Sequence, residues 1–316
     1  MSAFSFSLRD AAMPSAAVEI IGGRIAGVLV EDRGGRPMVS AHAVEPLPEP
    51  ALVPVLNALN IRDRAVVAGA LGRVLERLGK PKRIGLVLAD PVAKVSLIKL
   101  QQVPDRAQDL DQVIRWQVRK SAPFALEEAQ LSCVPGVRAD DGQEFIVTIA
   151  RRDVIAEYEA LCDSFGAQAG LVDVSTFNVI NAVIAGGAVP GGDWLLVNVA
   201  PGWESVAIMR GGQPMFFRSR SADGEGTLAD VVHQTAMYYE DRLGGSGFTR
   251  VLLCGAGGSG EAAAVQRTLA ERLATPVDPV DPTRAAALTD RISVGAGLAD
   301  SLTPLVGLLL RNREVA

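Results

Sequence analysis

The chain carries the same strand pattern twice, and this duplication restricts its possible folds more than any single motif does. Each copy has three strands rich in Val, Ile, Leu or Phe, separated by short turns. The predicted strands are 16–21, 24–31 and 37–44 in the first copy and 194–199, 204–210 and 214–221 in the second. Gly22 and Gly23, and the glycines at 211–212, allow the positive φ that tight hairpin turns need. We therefore expect two β-meanders, with Glu19 and Asn198 in equivalent positions 179 residues apart.

Several further motifs follow one another along the chain. They are 84–89 (IGLVLA), 114–116 (IRW), 122–128 (APFALEE), 171–174 (LVDV), 238–239 (YY) and 250–258 (RVLLCGAGG). Their order and spacing resemble the PilM family, the actin-like cytoplasmic components of type IV pilus assembly platforms. This resemblance implies an α/β, actin-like (ribonuclease H-like) duplicated fold with two lobes and a subdomain inserted in the first lobe.

The resemblance and the turn signals divide the chain into three parts. We expect residues 14–91 and 165–190 to form the first lobe, residues 92–164 an inserted β-α-β-β-α subdomain, and residues 191–316 the second lobe. A length of 316 residues suits about two domains. Apolar residues at helical spacing predict helices over 62–78, 228–242 and 261–273 and a last helix from about residue 295. Residues 1–13 are expected to be a loose leader.

Composition argues against several classes of function. A net charge of −5, with Arg scattered along the chain, argues against a nucleic-acid partner, because duplex affinity comes largely from many Lys and Arg contacts to phosphate. Three cysteines and two histidines without a CxxC motif predict neither a disulfide framework nor a structural zinc site. The apolar stretch 305–310 is far shorter than the ~20 residues that span a bilayer, and no signal peptide is predicted. We therefore expect a cytoplasmic protein that reaches the membrane only through a partner.

The resemblance also implies a site for ATP and Mg²⁺. Actin-like proteins hold a nucleotide between two hairpin turns and a third, glycine-rich turn, whose backbone N–H groups bind phosphate oxygen atoms. The residues of this chain at those positions are Gly22, Gly23, Asn198, Gly202, Gly255, Gly257 and Gly258. The third turn precedes a helix whose N-terminus would favour an anion.

The first two turns depart from the family pattern. Ile21 stands where a glycine lets phosphate approach, and Asn198 replaces an aspartate that acts through Mg²⁺. Pro201 has no N–H to donate. We therefore predict no catalytic residues and weak or absent hydrolysis. Nucleotide binding stays open, because ordinary turns explain the glycines equally well.

Two acidic residues allow two interpretations each. Glu19 is either the remnant of a metal-facing carboxylate or a strand-end residue on a solvated face. Asp173 either faces the cleft or caps a helix over 176–185, and the sequence slightly favours the cap.

The resemblance further implies a partner-binding groove. In PilM-like proteins the first lobe and its inserted subdomain receive a short N-terminal peptide of the inner-membrane protein PilN. An extended peptide needs an exposed sheet edge and apolar pockets. The residues predicted to supply them are Val95, Leu97, Leu100, Phe124 and Leu126. The alternative is that Phe124 and Leu126 belong to the core.

Two other functions are compatible with this fold. One is an active actin-like ATPase or small-molecule kinase, against which the missing aspartates argue. The other is a GspL-like component of type II secretion. Such chains usually continue into a transmembrane helix, and none is predicted here, which favours the pilus component. The sequence does not decide whether the protein forms a homo-oligomer.

Overall fold

The computed structural model describes residues 13–311 without 188, 190, 259–261 and 290–294, and these residues form fourteen strands and seven α-helices. The strands are β1 (Ala16–Ile21), β2 (Arg24–Arg33), β3 (Arg36–Pro46), β4 (Arg83–Leu88), β5 (Ala93–Leu100), β6 (Ala129–Ala139), β7 (Gly142–Arg151), β8 (Gln168–Val174), β9 (Asp193–Ala200), β10 (Trp203–Arg210), β11 (Gln213–Ser221), β12 (Arg250–Cys254), β13 (Val277–Pro279) and β14 (Ala287–Leu288). The helices are α1 (Arg64–Arg77), α2 (Ala107–Arg119), α3 (Arg152–Asp163), α4 (Ser175–Ala185), α5 (Leu228–Leu243), α6 (Ala262–Leu273) and α7 (Ala296–Leu310). In this described part, no helix is long and apolar enough to cross a bilayer. Residues 1–12 of the predicted leader and residue 261, the predicted start of α6, lie outside it.

Two large sheets repeat one strand order. The first is β14-β3-β2-β1-β4-β8 and the second is β11-β10-β9-β12-β13. In each sheet an antiparallel meander is extended by parallel strands beside its first strand. Glu19 pairs with Val87 of β4, and Asn198 pairs with Cys254 of β12, so the two residues occupy equivalent places. The predicted duplication is confirmed, and the fold is the two-lobed actin-like fold.

The meander strands lie within two residues of their predicted ends, because their apolar residues alternate between two buried faces. In β1, Val18 and Ile20 pack into the core that α1 and α3 cover. Ala17 packs into the core on the opposite face, with α7. A strand that is buried on both sides reads as a continuous apolar run, and this signal is visible in the sequence.

Helices α4 and α7 lie between the two large sheets and contact each other. Leu305 of α7 joins the core cluster of Val28 in the first sheet. Val179 of α4 joins the cluster of Trp194 in the second sheet. The chain therefore exchanges helices across the predicted lobe boundary. The physical reason is that α7 is apolar on nearly all sides, with residues 300–310 all buried, so it needs a partner on each side.

A smaller sheet of order β5-β7-β6 is inserted after β4. Helix α2 covers one face of it, where Ile114 packs in a cluster with Phe145. Helix α3 was predicted as part of this subdomain, but it contributes Tyr158 and Leu161 to the core of the first lobe. The Tyr158 hydroxyl donates a 2.9 Å hydrogen bond to Asn60 Oδ1 in the loop after β3, which fixes α3 to that lobe.

Candidate functional site: the lobe junction and the adjoining groove

The two hairpin turns assigned by sequence to the nucleotide site touch each other. Gly23 and Gly202 have φ values of +84° and +81°, which favour glycine. A Cβ atom on Gly22 would lie 3.5 Å from the carbonyl oxygen of Pro201, and one on Gly23 would lie 3.2 Å from the Pro201 ring. The proline of the second turn is therefore in close contact with the first turn, at the place where the family resemblance implies bound phosphate.

Asp90 lies at the centre of a buried polar cluster between the lobes. It begins the 3₁₀ turn Asp90–Val92 after β4 and is 2% exposed. Its Oδ1 accepts a 3.0 Å hydrogen bond from the backbone N–H of Thr176, and its Oδ2 accepts one from the Thr176 hydroxyl. The Ser205 hydroxyl of β10 donates to the same Oδ2 at 2.6 Å. One carboxyl group thus joins β4, α4 and β10, which come from both lobes.

Glu19 and Asn198 belong to the same cluster. The Ser175 hydroxyl donates a 2.9 Å hydrogen bond to Glu19 Oε1, and Arg24 donates one of 2.9 Å to Oε2. Asn198 Nδ2 donates to Thr176 Oγ1 at 2.8 Å. Glu19 is 1% exposed and Asn198 is 4% exposed. The interpretation of Glu19 as a residue on a solvated face is therefore wrong, and both side chains are partnered inside the protein.

The electrostatics of this cluster disfavour the charge of Asp90. Burial raises the pKa of Asp90 from 3.8 to about 6, against the lowering effect of the hydrogen bonds from Ser205 and Thr176. The charge of Glu19 raises this pKa further. The N-terminus of a helix is a natural site for an anion. At the N-terminus of α4, a carboxyl group of the chain itself already accepts the backbone N–H of Thr176.

The third turn packs against α7. A Cβ atom on Gly255 would lie 1.7 Å from the carbonyl oxygen of Val199, so β9 excludes any side chain there. The backbone N–H of Gly257 donates a 2.6 Å hydrogen bond to Asp300 Oδ2 of α7. Gly258 ends the 3₁₀ turn that follows β12, and residues 259 and 260 of the predicted loop lie outside the described part. The backbone N–H of Gly257, which could otherwise bind a phosphate oxygen, is therefore occupied by the carboxylate of Asp300.

An interlobe cavity of about 960 Å³ opens beside the two hairpin turns. Among the described residues, its wall includes Gly22 and Gly202 but neither Asn198 nor Gly255 nor Gly257. The predicted nucleotide-binding residues are thus divided between this wall, the buried cluster and the contact with α7. The structure does not gather them around one cavity.

The five residues predicted to bind a partner lie on opposite faces of the inserted sheet. Leu100 is buried under α2, and Phe124 and Leu126 pack against the same core cluster. Side chains of a strand alternate between its two faces, so Val95 and Leu97 face away from α2. Val95 lines the interlobe cavity. The five residues therefore do not form one groove, and the alternative that Phe124 and Leu126 are core residues is the one that their packing supports.

A different cleft, of about 740 Å³, lies between the inserted sheet and the first lobe. We call it the β6–β8 groove. Its apolar wall includes Val92, Val134, Ile146, Ile155, Leu171 and Phe177. Among the described strands, β6 and β8 each lie at the edge of their sheet, and residues of both line the cleft. Sequence patterns missed this groove, because its two walls come from segments that are distant in the chain.

Comparison with known proteins identifies the family. The sequence model of the type IV pilus assembly protein PilM matches residues 18–242. This chain belongs to the PilM family. No curated protein sequence matches it.

Solved structures support the same fold for this PilM-family chain. A structure described as the PilM-PilN type IV pilus biogenesis complex is similar over 96% of this chain and 100% of the other, with a TM-score of 0.81 and 17% identity. The cytoplasmic domain of EpsL, an inner membrane component of the type II secretion system of Vibrio cholerae, is similar over 76% of this chain and 81% of the other, with a TM-score of 0.50 and 9% identity. At such identities the similarity concerns the fold alone.

No sequence motif of this PilM-family chain pointed to Asp90 or Ser205. The available signal for Asp90 was an acidic residue two positions after a buried strand, because the carboxyl ends of parallel strands often carry functional groups. Asp173, by contrast, does not cap α4. The residue at the cap is Val174, without a side-chain hydrogen bond, and Asp173 pairs with Arg311 at 3.1 Å. Burial raises the pKa of Asp173, and Arg311 opposes this effect.

Proposed function

We propose that this PilM-family protein is a cytoplasmic scaffold of a type IV pilus assembly platform that docks on the N-terminal peptide of a PilN-like inner-membrane protein. The observation that carries this proposal is the β6–β8 groove, an apolar cleft with a strand edge on each side. The solved relative with the highest similarity described above is a complex of PilM with PilN. The protein would then be peripheral at the inner membrane through its partner.

The groove has the properties that an extended peptide requires. Edge strands present N–H and C=O groups to which an added strand can bind. Each such hydrogen bond contributes about 0.5–1.5 kcal/mol net. The side chains of Val134, Ile146 and Leu171 offer apolar surface between the two edges. A volume of about 740 Å³ accommodates a short segment of chain rather than a folded domain.

The same proposal includes a degenerate nucleotide site. Phosphate binding would need free N–H donors and space between the hairpin turns. Pro201 occupies that space, while the carboxyl groups of Asp90 and Asp300 accept the N–H groups of Thr176 and Gly257. We therefore expect ATP and Mg²⁺ to bind weakly at best, with hydrolysis slow or absent. Loss of one preorganised contact alone typically lowers a rate by roughly 10²–10³.

An active ATPase or kinase and a type II secretion component remain the alternatives. The contact of Pro201 with the first turn and the internal hydrogen bonds of the Thr176 and Gly257 N–H groups argue against the first. The family match over residues 18–242 favours a pilus machine over a secretion machine.

The docking proposal is tested with a synthetic peptide that has the N-terminal sequence of a PilN-like inner-membrane protein. Val134 is 47% exposed on β6 and lines the groove, so Val134→Asp should abolish binding in calorimetry without unfolding the protein. Trp116 is 60% exposed on α2, which covers the opposite face of the sheet. Trp116→Asp is the matched control and should bind as the wild type does.

Two outcomes would contradict the proposal. One is a wild-type protein that does not bind the peptide. The other is a Val134→Asp variant that binds with unchanged affinity while its circular dichroism stays that of the wild type.

A further inference from the structure

One charged side chain that lines the β6–β8 groove lacks an ion-pair partner among the described residues. Three titratable side chains line it among the described residues: Glu159, Asp173 and Arg311. Asp173 and Arg311 form an ion pair at 3.1 Å across β8 and the end of α7, so their charges largely cancel. Glu159 remains, and among the described residues that line the groove it is the charged side chain without an ion-pair partner.

Glu159 is directed to the groove by its place on α3. Ile155, four residues earlier and hence on the same helix face, lines the groove with it. Arg152, the first residue of this helix, donates to the carbonyl oxygen of Ala129 rather than to Glu159. Within the described part of the chain, no hydrogen bond or ion pair involves the Glu159 carboxylate.

The surroundings of Glu159 disfavour its charge in the empty groove. The side chain is half-buried. Burial, and to a lesser degree the charge of Asp163 one turn further along α3, raise the pKa of Glu159. A partly desolvated carboxylate without a partner is costly, and a cation placed beside it removes that cost. Binding sites commonly combine apolar walls with a small number of such polar groups, which set specificity.

We propose that Glu159 selects a docking peptide that carries a cationic nitrogen, either a Lys or Arg side chain or a free N-terminal amine, seated against this carboxylate in the β6–β8 groove. The inference rests on the proposed docking function and adds the chemistry of the segment that is bound. The apolar side chains of the peptide contact the walls of the groove. The cation of the peptide fixes which peptide residue lies beside Glu159, because Glu159 is the unpaired charge among the described groove residues.

The test is a double-mutant cycle measured by calorimetry. The variant is Glu159→Gln, which keeps the shape of the side chain and removes its charge. The matched control is Asp163→Asn, an exposed carboxylate on the same helix. Three synthetic peptides from the PilN-like N-terminus are used: the native one, one with every Lys and Arg replaced by Gln, and one with an acetylated N-terminus.

Glu159→Gln should weaken the native peptide about tenfold and should reduce the salt dependence of its affinity. It should leave the affinity unchanged for whichever modified peptide lacks the cation that Glu159 binds, which distinguishes a side chain from the terminal amine. Asp163→Asn should change the affinity less than twofold.

Equal affinities of the wild type and Glu159→Gln for the native peptide would overturn this inference alone. The same holds if Glu159→Gln weakens all three peptides by the same factor, because the effect would then not depend on a cation. A wild-type protein that binds none of the peptides would overturn the docking function and this inference with it.

Discussion

The Ser205 hydroxyl of the second lobe donates a 2.6 Å hydrogen bond to Asp90 Oδ2 of the first lobe. The same carboxyl group accepts the backbone N–H of Thr176 at the start of α4. Val92, two residues after Asp90, lines the β6–β8 groove. One short segment of chain thus contributes both to the lobe contact and to the wall of the groove.

Asp90 should make stability depend on pH in a predictable direction. Its folded-state pKa of about 6 exceeds the ordinary 3.8, so the folded protein binds this proton more tightly than the unfolded chain does. The resulting stabilisation is present below about pH 4 and is lost as pH rises to about 6. The free energy of unfolding of the wild type should therefore fall relative to that of Asp90→Asn, by about 3 kcal/mol over this range.

Urea titrations of both proteins between about pH 4 and 7 measure this difference. The loss of an acceptor in Asp90→Asn adds a constant offset, so the slope with pH is the informative quantity. A difference that stays constant with pH would contradict the assignment.

Two glycines of the predicted nucleotide site should respond differently to alanine. Gly255 has a φ of +92°, and a Cβ atom there would lie 1.7 Å from the carbonyl oxygen of Val199. Gly202 also has a positive φ, but a Cβ atom there meets nothing within 4 Å. Gly255→Ala should lower the free energy of unfolding by more than about 4 kcal/mol or prevent folding, whereas Gly202→Ala should cost about 1 kcal/mol. Thermal unfolding compares the two, and equal effects would be inconsistent with the close packing of Gly255 on β9.

Restoring an aspartate at position 198 should not create an ATPase. Asn198 donates a hydrogen bond to Thr176 Oγ1, and the Thr176 hydroxyl in turn donates to Asp90. In Asn198→Asp that hydroxyl oxygen loses its donor, and a further carboxylate enters the buried cluster. We expect a loss of about 1–3 kcal/mol in stability and no gain in ATP hydrolysis with Mg²⁺. The exposed Asn57→Asp is the control and should be neutral. Mg²⁺-dependent turnover by Asn198→Asp would argue that the phosphate site is intact.

Phe124→Asp should destabilise the inserted subdomain. Phe124 packs against the core cluster of Ile114 and Phe145 beneath α2, so a carboxylate there would replace an apolar contact with a desolvated charge. The expected loss is about 2 kcal/mol or more. Val103 is 42% exposed, and Val103→Asp should leave the unfolding temperature unchanged. If Phe124→Asp unfolds at the wild-type temperature, Phe124 is not a core residue.

The sequence was a good guide to elements and a poor guide to sites. The meander strands follow from local apolar runs bounded by glycines, such as Gly22-Gly23, and their predicted ends were accurate to two residues. The glycines themselves were correctly placed in turns. Whether these glycines can bind phosphate could not be predicted from the sequence. For Gly257 it depends on whether the backbone N–H is free, and this N–H is bound by Asp300, which is 43 residues away in the chain.

The predicted partner residues illustrate the same point. Val95 and Leu100 were read as one apolar strand, yet alternation places them on opposite faces. Helix α2 covers one of these faces, and this packing cannot be read from the strand itself.

Three properties of this protein follow from the sequence alone: the duplication, the order of the elements and the absence of an aspartate at position 198. Each of them depends only on residues that are neighbours in the chain. Tertiary packing decided the rest. It closed the hairpin turns on each other, exchanged α4 and α7 between the sheets and brought Asp90 to Ser205 across 115 residues. It also opened the groove between β6 and β8. These features depend on contacts between distant segments, which are fixed only when both faces of each sheet find the helices that bury them.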